Sequence, residues 1–355
     1  MNRTEDIIYY NTILHNKNRF VIPASTLDQR DRDILSTTNE WEMSIIRFTI
    51  PTNLLPLLII PDRTVNTYSV TLSCNGNDYQ QFVPYTQSSF RGLYGREVQA
   101  YYDIQAFLDD VNSALLLAFA DVLFNNPACV STQPPRFYYD SVTSLISCYV
   151  DRGFIDGTVN GVSMYMNTIL FNLFQAFIAE YLPTPQPLGK DIRFKILDSN
   201  TLAISNVIPR VNVPNTISSI NVTLLQLQQT FICISNFYSV RSLVITTSQI
   251  PVQQEYLPNI SSNLQNQNVS NTNRSIVSDF EIPAITDQNS FRTSITYIPS
   301  AEYRMISLLG DQSLNRIDFQ ILFTDTNGLF YPLYLDVDKT ISIKTMFRRK
   351  KIMPM

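Results

Sequence analysis

The C-terminal segment constrains the fold most strongly, because apolar residues there recur at every second position. This alternation over 316–323 has the period of a half-buried strand, whose side chains point alternately to the two faces of a sheet. A turn cluster follows at 325–328, where Gly328 can adopt a positive φ at no steric cost. Two further strands are predicted over 330–335 and 341–347. This part of the chain therefore predicts consecutive strands of an antiparallel sheet.

Length and charge indicate a large protein that associates with other subunits. At 355 residues the chain can form one large domain or two ordinary ones, and it buries roughly 75% of its unfolded surface. Charged residues make up 16% of the chain, below the usual quarter. A surface rich in neutral polar groups suits packing against copies or other subunits, although a compositional bias of the source genome explains it equally well. The net charge of −4 argues against a molecule built to coat nucleic acid.

The four cysteines predict neither a disulfide framework nor a zinc site. Cys74, Cys129, Cys148 and Cys233 are far apart and form no Cys-x-x-Cys pair. Secreted disulfide frameworks usually occur in shorter chains with more cysteines, so we expect reduced thiols half-buried in the core. The first residues contain no apolar stretch, and we therefore expect no signal peptide.

An uncharged stretch of 23 residues, 157–179, has the length of a membrane span. Four amide side chains interrupt it, however, and each is costly in lipid. Apolar residues from Met166 to Ile178 recur at three- and four-residue steps, the pattern of an amphipathic helix. We therefore predict a helix over 166–181 that packs against a sheet or a partner and ends before Pro183.

The rest of the pattern predicts an all-β protein with added helices, built as an antiparallel β-sandwich. A helix is predicted over 103–124, with Asp110 and its polar neighbours away from the apolar stripe. Residues 1–40 are expected to form a polar arm, and 258–273, rich in Asn, Ser and Gln, an exposed or mobile loop. Short strands with Pro-rich turns favour a sandwich over a βαβ fold. The remaining predicted strands cover 41–50, 65–74, 136–150, 191–197, 201–208, 229–235, 240–248, 275–281, 291–298 and 302–308.

Residues able to carry catalysis or hold a metal are scarce in the sequence. His15 is the only histidine, which excludes metal sites built on several histidines. It is also the only residue that could serve as the base of a Ser-His-Asp triad, and it lies in the predicted arm. No phosphate-binding motif occurs among the nine glycines. A carboxylate pair of the glycosidase type stays open, although Asp and Glu form no cluster along the chain. We therefore predict a non-enzymatic protein with no catalytic, cofactor-binding or metal-binding residues and no small-molecule substrate.

Two charged features each have two interpretations. Residues 325–328 resemble part of a calcium loop, but the Glu of an EF-hand loop is missing, so a hairpin turn is the preferred interpretation. A cation bridging subunits through Asp336 and Asp338 is a second hypothesis. The four cations at 348–351 are either a solvated terminus or a weak, salt-dependent contact with genome phosphates or an inner membrane.

Several short stretches occur in an order that is typical of one protein family. They are 41–51 with its Ser-Ile-x-Arg-Phe core, 82–86 with the predicted helix behind it, 278–281, 296–299, 303–308, 317–321, 325–328 and 343–347. Together they resemble the minor capsid, or penton, proteins of virophages and of Polinton-like viruses. Residues 130–240 match this pattern least well.

The resemblance implies a single jelly roll, two packed antiparallel sheets of four strands each, interrupted by a mixed α/β insertion. We expect the jelly roll at 41–95 and 231–347, and the insertion with both helices at 96–230. The resemblance further implies a virion component, assembled inside the infected cell, that forms a homopentamer at each vertex of an icosahedral shell. Trimers of a double-jelly-roll major capsid protein would surround it. Segments 1–40 and 348–355, the latter a basic tail, are expected to tie the ring to these neighbours.

Two other functions stay open at this point. A lectin-like jelly roll would bind glycans or a receptor through exposed aromatic residues, but the only tryptophan, Trp41, lies in a predicted core strand. A major capsid protein would carry two jelly rolls, for which 355 residues are few. The shape of the assembled particle distinguishes these functions from a penton.

Overall fold

The computed structural model describes residues 7–60, 67–86, 89–91, 97–183, 189–204, 224–254, 275–282, 294–298, 304–326 and 328–350. Its elements up to residue 125 are β1 (Ile7–His15), β2 (Ile22–Pro23), β3 (Ser25–Gln29), β4 (Trp41–Pro51), β5 (Leu58–Ile60), β6 (Ser69–Cys74), β7 (Asn77–Phe82), β8 (Ser89–Arg91), β9 (Glu97–Tyr101) and α1 (Ile104–Asn125). Then follow β10 (Arg136–Asp140), β11 (Leu145–Val150), β12 (Val162–Met166), α2 (Thr168–Phe171), β13 (Ala179–Tyr181), β14 (Ile192–Phe194), β15 (Leu202–Ile204) and β16 (Leu224–Gln228). The last elements are β17 (Val240–Thr246), β18 (Ile276–Glu281), β19 (Ser294–Tyr297), β20 (Ile306–Ser307), β21 (Arg316–Asp325), β22 (Phe330–Pro332), β23 (Tyr334–Leu335) and β24 (Thr340–Arg349).

The first large sheet is built around β24. Its order is β1-β24-β4-β19, β20 also pairs with β4, and all of these pairings are antiparallel. Alternate residues of β24, such as Ile341 and Ile343, are buried, as a period of two requires. The predicted strands 41–50 and 341–347 are therefore confirmed.

The second large sheet contains β21, the strand with the strongest alternation in the sequence. Its order is β18-β17-β21-β22, and β3 also pairs with β21. The four apolar residues at alternate positions from Ile317 to Phe323 are all buried. Gly328 has a φ of 77°, and β22 folds back antiparallel onto β21, so the hairpin predicted at 325–328 is present.

An aromatic core joins the two large sheets. The ring of Phe48 in β4 stacks on the ring of Phe280 in β18, with centroids 5.6 Å apart and an angle of 5° between the planes. The Phe280 ring also lies 4.1 Å from the ring of Tyr297 in β19. Both phenylalanines are buried. Two facing antiparallel sheets around such a core confirm the predicted jelly-roll-like β-sandwich, although each sheet has five strands rather than the expected four.

Between β5 and β17 the chain forms a separate group of strands with α1, which we call the insertion. It contains the sheets β10-β11-β16-β15 and β13-β14-β12-β6-β7, while the small sheet β5-β9-β8 links it to the end of β5. Strands β6 and β7 fall within the segment 41–95 that was expected to form jelly roll. They form a hairpin through the tight turn at Asn75 and Gly76, and β6 also pairs with β12.

Helix α1 forms where the sequence predicts it. The Asp103 side chain caps its first turn by accepting a hydrogen bond of 2.9 Å from the Gln105 amide. The prediction that Asp110 lies away from the buried stripe is wrong. Its carboxylate is buried and accepts hydrogen bonds from the Thr86 amide at 3.1 Å and the Tyr101 hydroxyl at 2.6 Å. Burial, and then this carboxylate, raise the pKa of Tyr101.

The second predicted helix, 166–181, is wrong. Helix α2 makes a single turn, and Ala176 has a φ of 76°, outside the helical region. Phe177, which belongs to the predicted apolar stripe, and Phe171, which does not, both pack against the ring of Phe194 in β14. Aromatic packing in the insertion core therefore overrides the helical periodicity.

Other predicted strands differ in their limits. The predicted strand 136–150 is a hairpin of β10 and β11, because the chain reverses at 141–144. The predicted strand 229–235 is wrong: β16 lies just before it, and a 3-10 turn occupies Ile234–Phe237. The predicted strand 330–335 divides into β22, which pairs with β21, and β23, which pairs with β2. The prediction that the strands of 316–347 follow one another in one sheet is wrong, because β24 lies in the other large sheet from β21. The remaining predicted strands are present, most of them shorter than predicted. The loop predicted at 258–273 lies outside the described residues.

Part of the predicted N-terminal arm is built into the sandwich. Strand β1 pairs with β24 in the first large sheet, and β3 pairs with β21 in the second. Side chains of β1 alternate, since Thr12 and Leu14 are buried while Ile13 is 67% exposed. Residues 1–6 of the arm lie outside the described residues.

A buried carboxylate fixes the loop that follows α1. Asp151 accepts hydrogen bonds from the Ser131 hydroxyl at 2.8 Å and from the amides of Gln133 and Gly153, both at 2.9 Å. The loop approaches so closely that a Cβ on Gly153 would lie 2.6 Å from the Ser131 Cα. One buried carboxylate thus accepts the hydrogen bonds of several loop groups that would otherwise lack a partner.

The stacked pair between the large sheets predicts a strong stability effect. Replacing Phe48 by Ala leaves a cavity between the sheets, and we expect the free energy of unfolding to fall by about 3–5 kcal/mol. Chemical unfolding of the purified chain measures this. Phe124→Ala is the matched control, because that ring is 88% exposed and its loss should cost less than about 0.5 kcal/mol. Equal losses in both variants would contradict the assignment of the core.

The Asp151 clamp predicts a second effect. Asp151→Asn keeps the shape but turns one acceptor oxygen into a donor that faces loop donors, and we expect a loss of roughly 1–3 kcal/mol. Asp109→Asn is the control, since Asp109 is exposed and its carboxylate accepts a hydrogen bond from the Gln105 side chain at 2.8 Å. The comparison is made by thermal and urea unfolding, and an Asp151→Asn variant as stable as the control would show that the clamp is dispensable.

Candidate assembly surfaces

The residues singled out for chemistry in the sequence form no metal or catalytic cluster in the part of the chain that the structure describes. Among the described residues, no group of three or more His, Cys, Asp or Glu side chains is arranged to hold a metal ion. His15 lies at the end of β1, with its Nδ1 2.8 Å from the Thr340 hydroxyl. Within the described ranges, no helix combines the length and hydropathy needed to cross a bilayer.

The residues compared above with a calcium loop hold a turn. Asp325 is buried, and its carboxylate accepts hydrogen bonds from the Leu329 amide at 2.8 Å and the Tyr331 hydroxyl at 3.2 Å. Burial, and then the Asp325 charge, raise the pKa of Tyr331. Asp336 and Asp338 are exposed in a separate turn before β24. The Asp325 carboxylate therefore serves the hairpin.

The basic residues at the end of the described chain are paired with acidic neighbours. Arg348 donates from Nε to Glu42 at 2.7 Å, and Arg349 forms an ion pair with Glu40. Lys350 donates from Nζ to the Asn39 carbonyl at 2.7 Å. These contacts hold residues 348–350 against the start of β4 and the residues just before it. Lys351 lies outside the described residues.

A polar cleft of about 470 Å³ lies between β3, β17 and β21. Its charged group, Asp318, accepts hydrogen bonds from the Thr247 hydroxyl, the Ser248 amide and hydroxyl, and the Gln249 amide. The aromatic residue in the lining, Phe319, is 1% exposed. The cleft thus presents no aromatic face on which a sugar ring could stack.

Exposed apolar side chains mark one face of β1, which we call the strand patch: Ile7, Tyr9 and Ile13. They are 41%, 55% and 67% exposed. The Lys344 ammonium lies 5.0 Å from the centre of the Tyr9 ring. Strand β1 is the outermost strand of its sheet in the described part of the chain. An outer strand offers unpaired backbone groups beside its side chains, which suits contact with another chain.

A second apolar face, the helix patch, lies on α1. Leu116, Leu117, Leu123 and Phe124 are 37%, 54%, 41% and 88% exposed. Their spacing of one and seven residues places them on one side of the helix. The opposite side is buried in the insertion. The helix is therefore apolar on two sides, which is unusual for a helix that faces only water.

A third apolar face, the loop patch, joins two segments of the insertion. Ile178, Phe231 and Ile232 are 50%, 57% and 51% exposed. The Thr230 amide donates to the Ala176 carbonyl at 3.0 Å, which holds these two segments side by side. The three patches lie on different elements and offer surfaces for contact with other subunits. The sequence pointed to association through low charge but did not locate any of them.

Comparison with known proteins connects this architecture to virus particles. A family model described as Sputnik minor capsid protein V18/19 matches residues 8–349. Structural protein V19 of Sputnik virophage is 26% identical over 220 residues, which cover 61% of this chain and 94% of that protein. Uncharacterized protein V18 of the same virophage is 29% identical over 157 residues, which cover 38% of this chain and 92% of that protein.

Two solved structures have a similar fold and match nearly the full length of the chain. A chain in the 3.5 Å cryo-EM structure of the Sputnik virophage is similar with a TM-score of 0.73 and 25% identity, covering 98% of this chain and 99% of that chain. The crystal structure of the mavirus penton protein has a TM-score of 0.64 and 16% identity, covering 97% and 99% respectively. At 16% identity, the similarity to the mavirus penton protein shows a shared fold.

Proposed function

The chain belongs to the Sputnik minor capsid protein V18/19 family, and from that premise we propose that five copies form a ring that closes each vertex of an icosahedral shell. The protein is a minor capsid protein located in the virion, as its family and its Sputnik relatives establish. The five-fold ring, and its contact with trimers of a double-jelly-roll major capsid protein, are the parts that we add.

The separate apolar patches support a ring. A closed ring uses head-to-tail contacts, in which one surface of a subunit meets a different surface of the next. The strand patch lies on the jelly roll, whereas the helix and loop patches lie on the insertion, so each subunit offers distinct surfaces. Permanent contacts of this kind bury roughly 2,000 Å² or more and favour aromatic residues over charges. The likeness in fold to a penton protein supports the same arrangement.

The two ends of the chain are the proposed links to the surrounding shell. The strand patch lies in the N-terminal segment 1–40, and its exposed Ile13 and Tyr9 suit burial against a neighbour. The segment 348–355 is proposed to contact neighbours as well. A weak contact of its cations with genome or an inner membrane stays a prediction, and the pairing of Arg348 and Arg349 with glutamates reduces the charge available for it.

We propose a division into two parts that follows hydrogen bonding between strands. The jelly roll comprises 7–60 and 240–350, and the insertion comprises 67–237, so it begins earlier than the expected residue 96. The protein acts through its shape and contact surfaces and has no catalytic role. This is supported by the use of Asp110, Asp151, Asp318 and Asp325 as acceptors within the fold.

Electron microscopy of the purified full-length chain tests the ring. We expect particles with five-fold symmetry, alone or together with the major capsid protein of the same virus. The double variant Tyr9→Ser, Ile13→Asp should abolish the rings or their binding to the major capsid protein, because a carboxylate would have to be buried in the contact. Its melting temperature should stay within about 2 °C of the parent, because both side chains are exposed.

Val142→Asp is the matched control for this experiment. Val142 lies at the tip of the β10–β11 hairpin, is 90% exposed and belongs to none of the three patches. It should leave the rings intact. Particles of another symmetry, or subunits that stay dispersed even beside the major capsid protein, would contradict the five-fold ring.

A further inference from the structure

Two of the four cysteines, distant in sequence, meet in the insertion. Cys74 is the last residue of β6, and Cys129 lies in the loop after α1. The Asn160 carbonyl oxygen lies 3.7 Å from the Cys74 sulfur and 3.3 Å from the amide nitrogen of Val130, the residue after Cys129, so the two cysteines are neighbours. Neither forms a disulfide in this structure.

Hydrogen bonds hold the backbone on both sides of this thiol pair, and one of them comes from the Cys74 thiol itself. The Asn160 carbonyl accepts hydrogen bonds from the Val130 amide at 3.3 Å and from the Cys74 thiol at 3.7 Å. The Asn126 side chain donates to the Tyr79 hydroxyl at 2.8 Å, which ties the loop to the β6–β7 hairpin. The loop therefore keeps Cys129 beside Cys74 whatever the redox state of either residue.

The members of the pair differ in exposure. Cys74 is 1% exposed, whereas Cys129 is partly exposed to solvent. Burial, and then the neighbouring Cys129, raise the pKa of Cys74 to about 11. Cys148 is buried within β11, and Cys233 donates its thiol to the Gln175 carbonyl at 3.0 Å. Cys129 is thus the thiol of the pair that an oxidant in solution reaches first.

We propose that Cys74 and Cys129 form a disulfide in the folded protein when it meets a small-molecule disulfide such as oxidised glutathione. The Cys129 thiolate attacks one sulfur of oxidised glutathione, which forms a mixed disulfide and releases one glutathione. The Cys74 thiolate then attacks the Cys129 sulfur and expels the second glutathione. The two protein thiols lose two electrons and two protons, and the two glutathione thiols gain them.

This bond would link the C-terminal end of α1 to the sheet of the insertion. The closed loop spans about 55 residues, long enough for a clear gain in stability. The interior of a cell keeps thiols reduced, while a released virion is exposed to oxidising surroundings. The thiol pair would therefore strengthen the subunit after release. The disulfide itself is argued from the structure alone. Only its expected formation after release rests on the location of the protein in the virion.

The test uses purified full-length chain in its reduced form. Incubation with oxidised glutathione at pH 8, followed by alkylation and peptide mass analysis, should show loss of two free thiols and one linked peptide pair containing Cys74 and Cys129. The melting temperature should rise by roughly 4–8 °C and return after treatment with dithiothreitol. A chain that keeps four free thiols, or that retains only a mixed disulfide with glutathione, overturns the proposal.

Two variants separate this bond from a general effect of oxidation. Cys129→Ser should lose both the linked peptides and the redox-dependent shift in melting temperature, and its partly exposed position makes it the milder change. Cys233→Ser is the matched control, because a hydroxyl can also donate to the Gln175 carbonyl, and it should retain both. A shift that persists in Cys129→Ser, or that is lost in Cys233→Ser, contradicts the assignment to Cys74 and Cys129.

Discussion

The pairing of β24 with a strand on each side is the constraint on which the rest of the structure depends. One neighbour, β1, starts at Ile7, and the other, β4, ends at Pro51, so the first large sheet requires the last strand to meet the first fifty residues. Only then can Phe48 of β4 stack on Phe280 and join the two sheets. Contacts between distant parts of a chain lose loop-closure entropy before buried surface stabilises them. We therefore expect this sandwich to form cooperatively and late in folding.

The insertion is tolerated because both of its ends lie in this closed frame. The chain leaves after β5 and returns at β17, and the Ser239 amide, just before β17, donates to the Leu57 carbonyl, just before β5, at 2.8 Å. An excursion whose ends are already close adds little closure cost. Within the insertion, buried carboxylates hold irregular segments in place by accepting hydrogen bonds from them. Asp110 attaches α1 to β9, and Asp151 gathers the loop after α1, so the exposed helix patch is presented on a fixed support.

The sequence predicted those parts in which neighbouring residues determine the structure. The alternation at 316–323 and the apolar stripe of α1 are local signals, and both were interpreted correctly except for the burial of Asp110. The helix predicted at 166–181 failed because Phe171 and Phe177 serve an aromatic cluster around Phe194, a contact that no local period reveals. The arm was interpreted from its polarity alone. Residues 7–14 nevertheless contain many residue types that favour β-strands, at both odd and even positions, and this signal could have indicated β1. The patches could not be predicted, since their exposure depends on which face of each element the fold buries.

The exposed apolar residues also explain why a minor capsid protein of this kind carries so little charge. Burying one side chain such as Tyr9 or Phe124 contributes only about 1.5–3 kcal/mol, while association costs at least several kcal/mol in lost freedom of motion. No single exposed side chain can therefore hold a subunit in a shell. Contacts must act together on several faces, and each added charge on those faces would have to be desolvated or paired. With 16% charged residues, the chain avoids that cost over most of its surface and keeps its ion pairs, such as Arg349 with Glu40, inside its own fold.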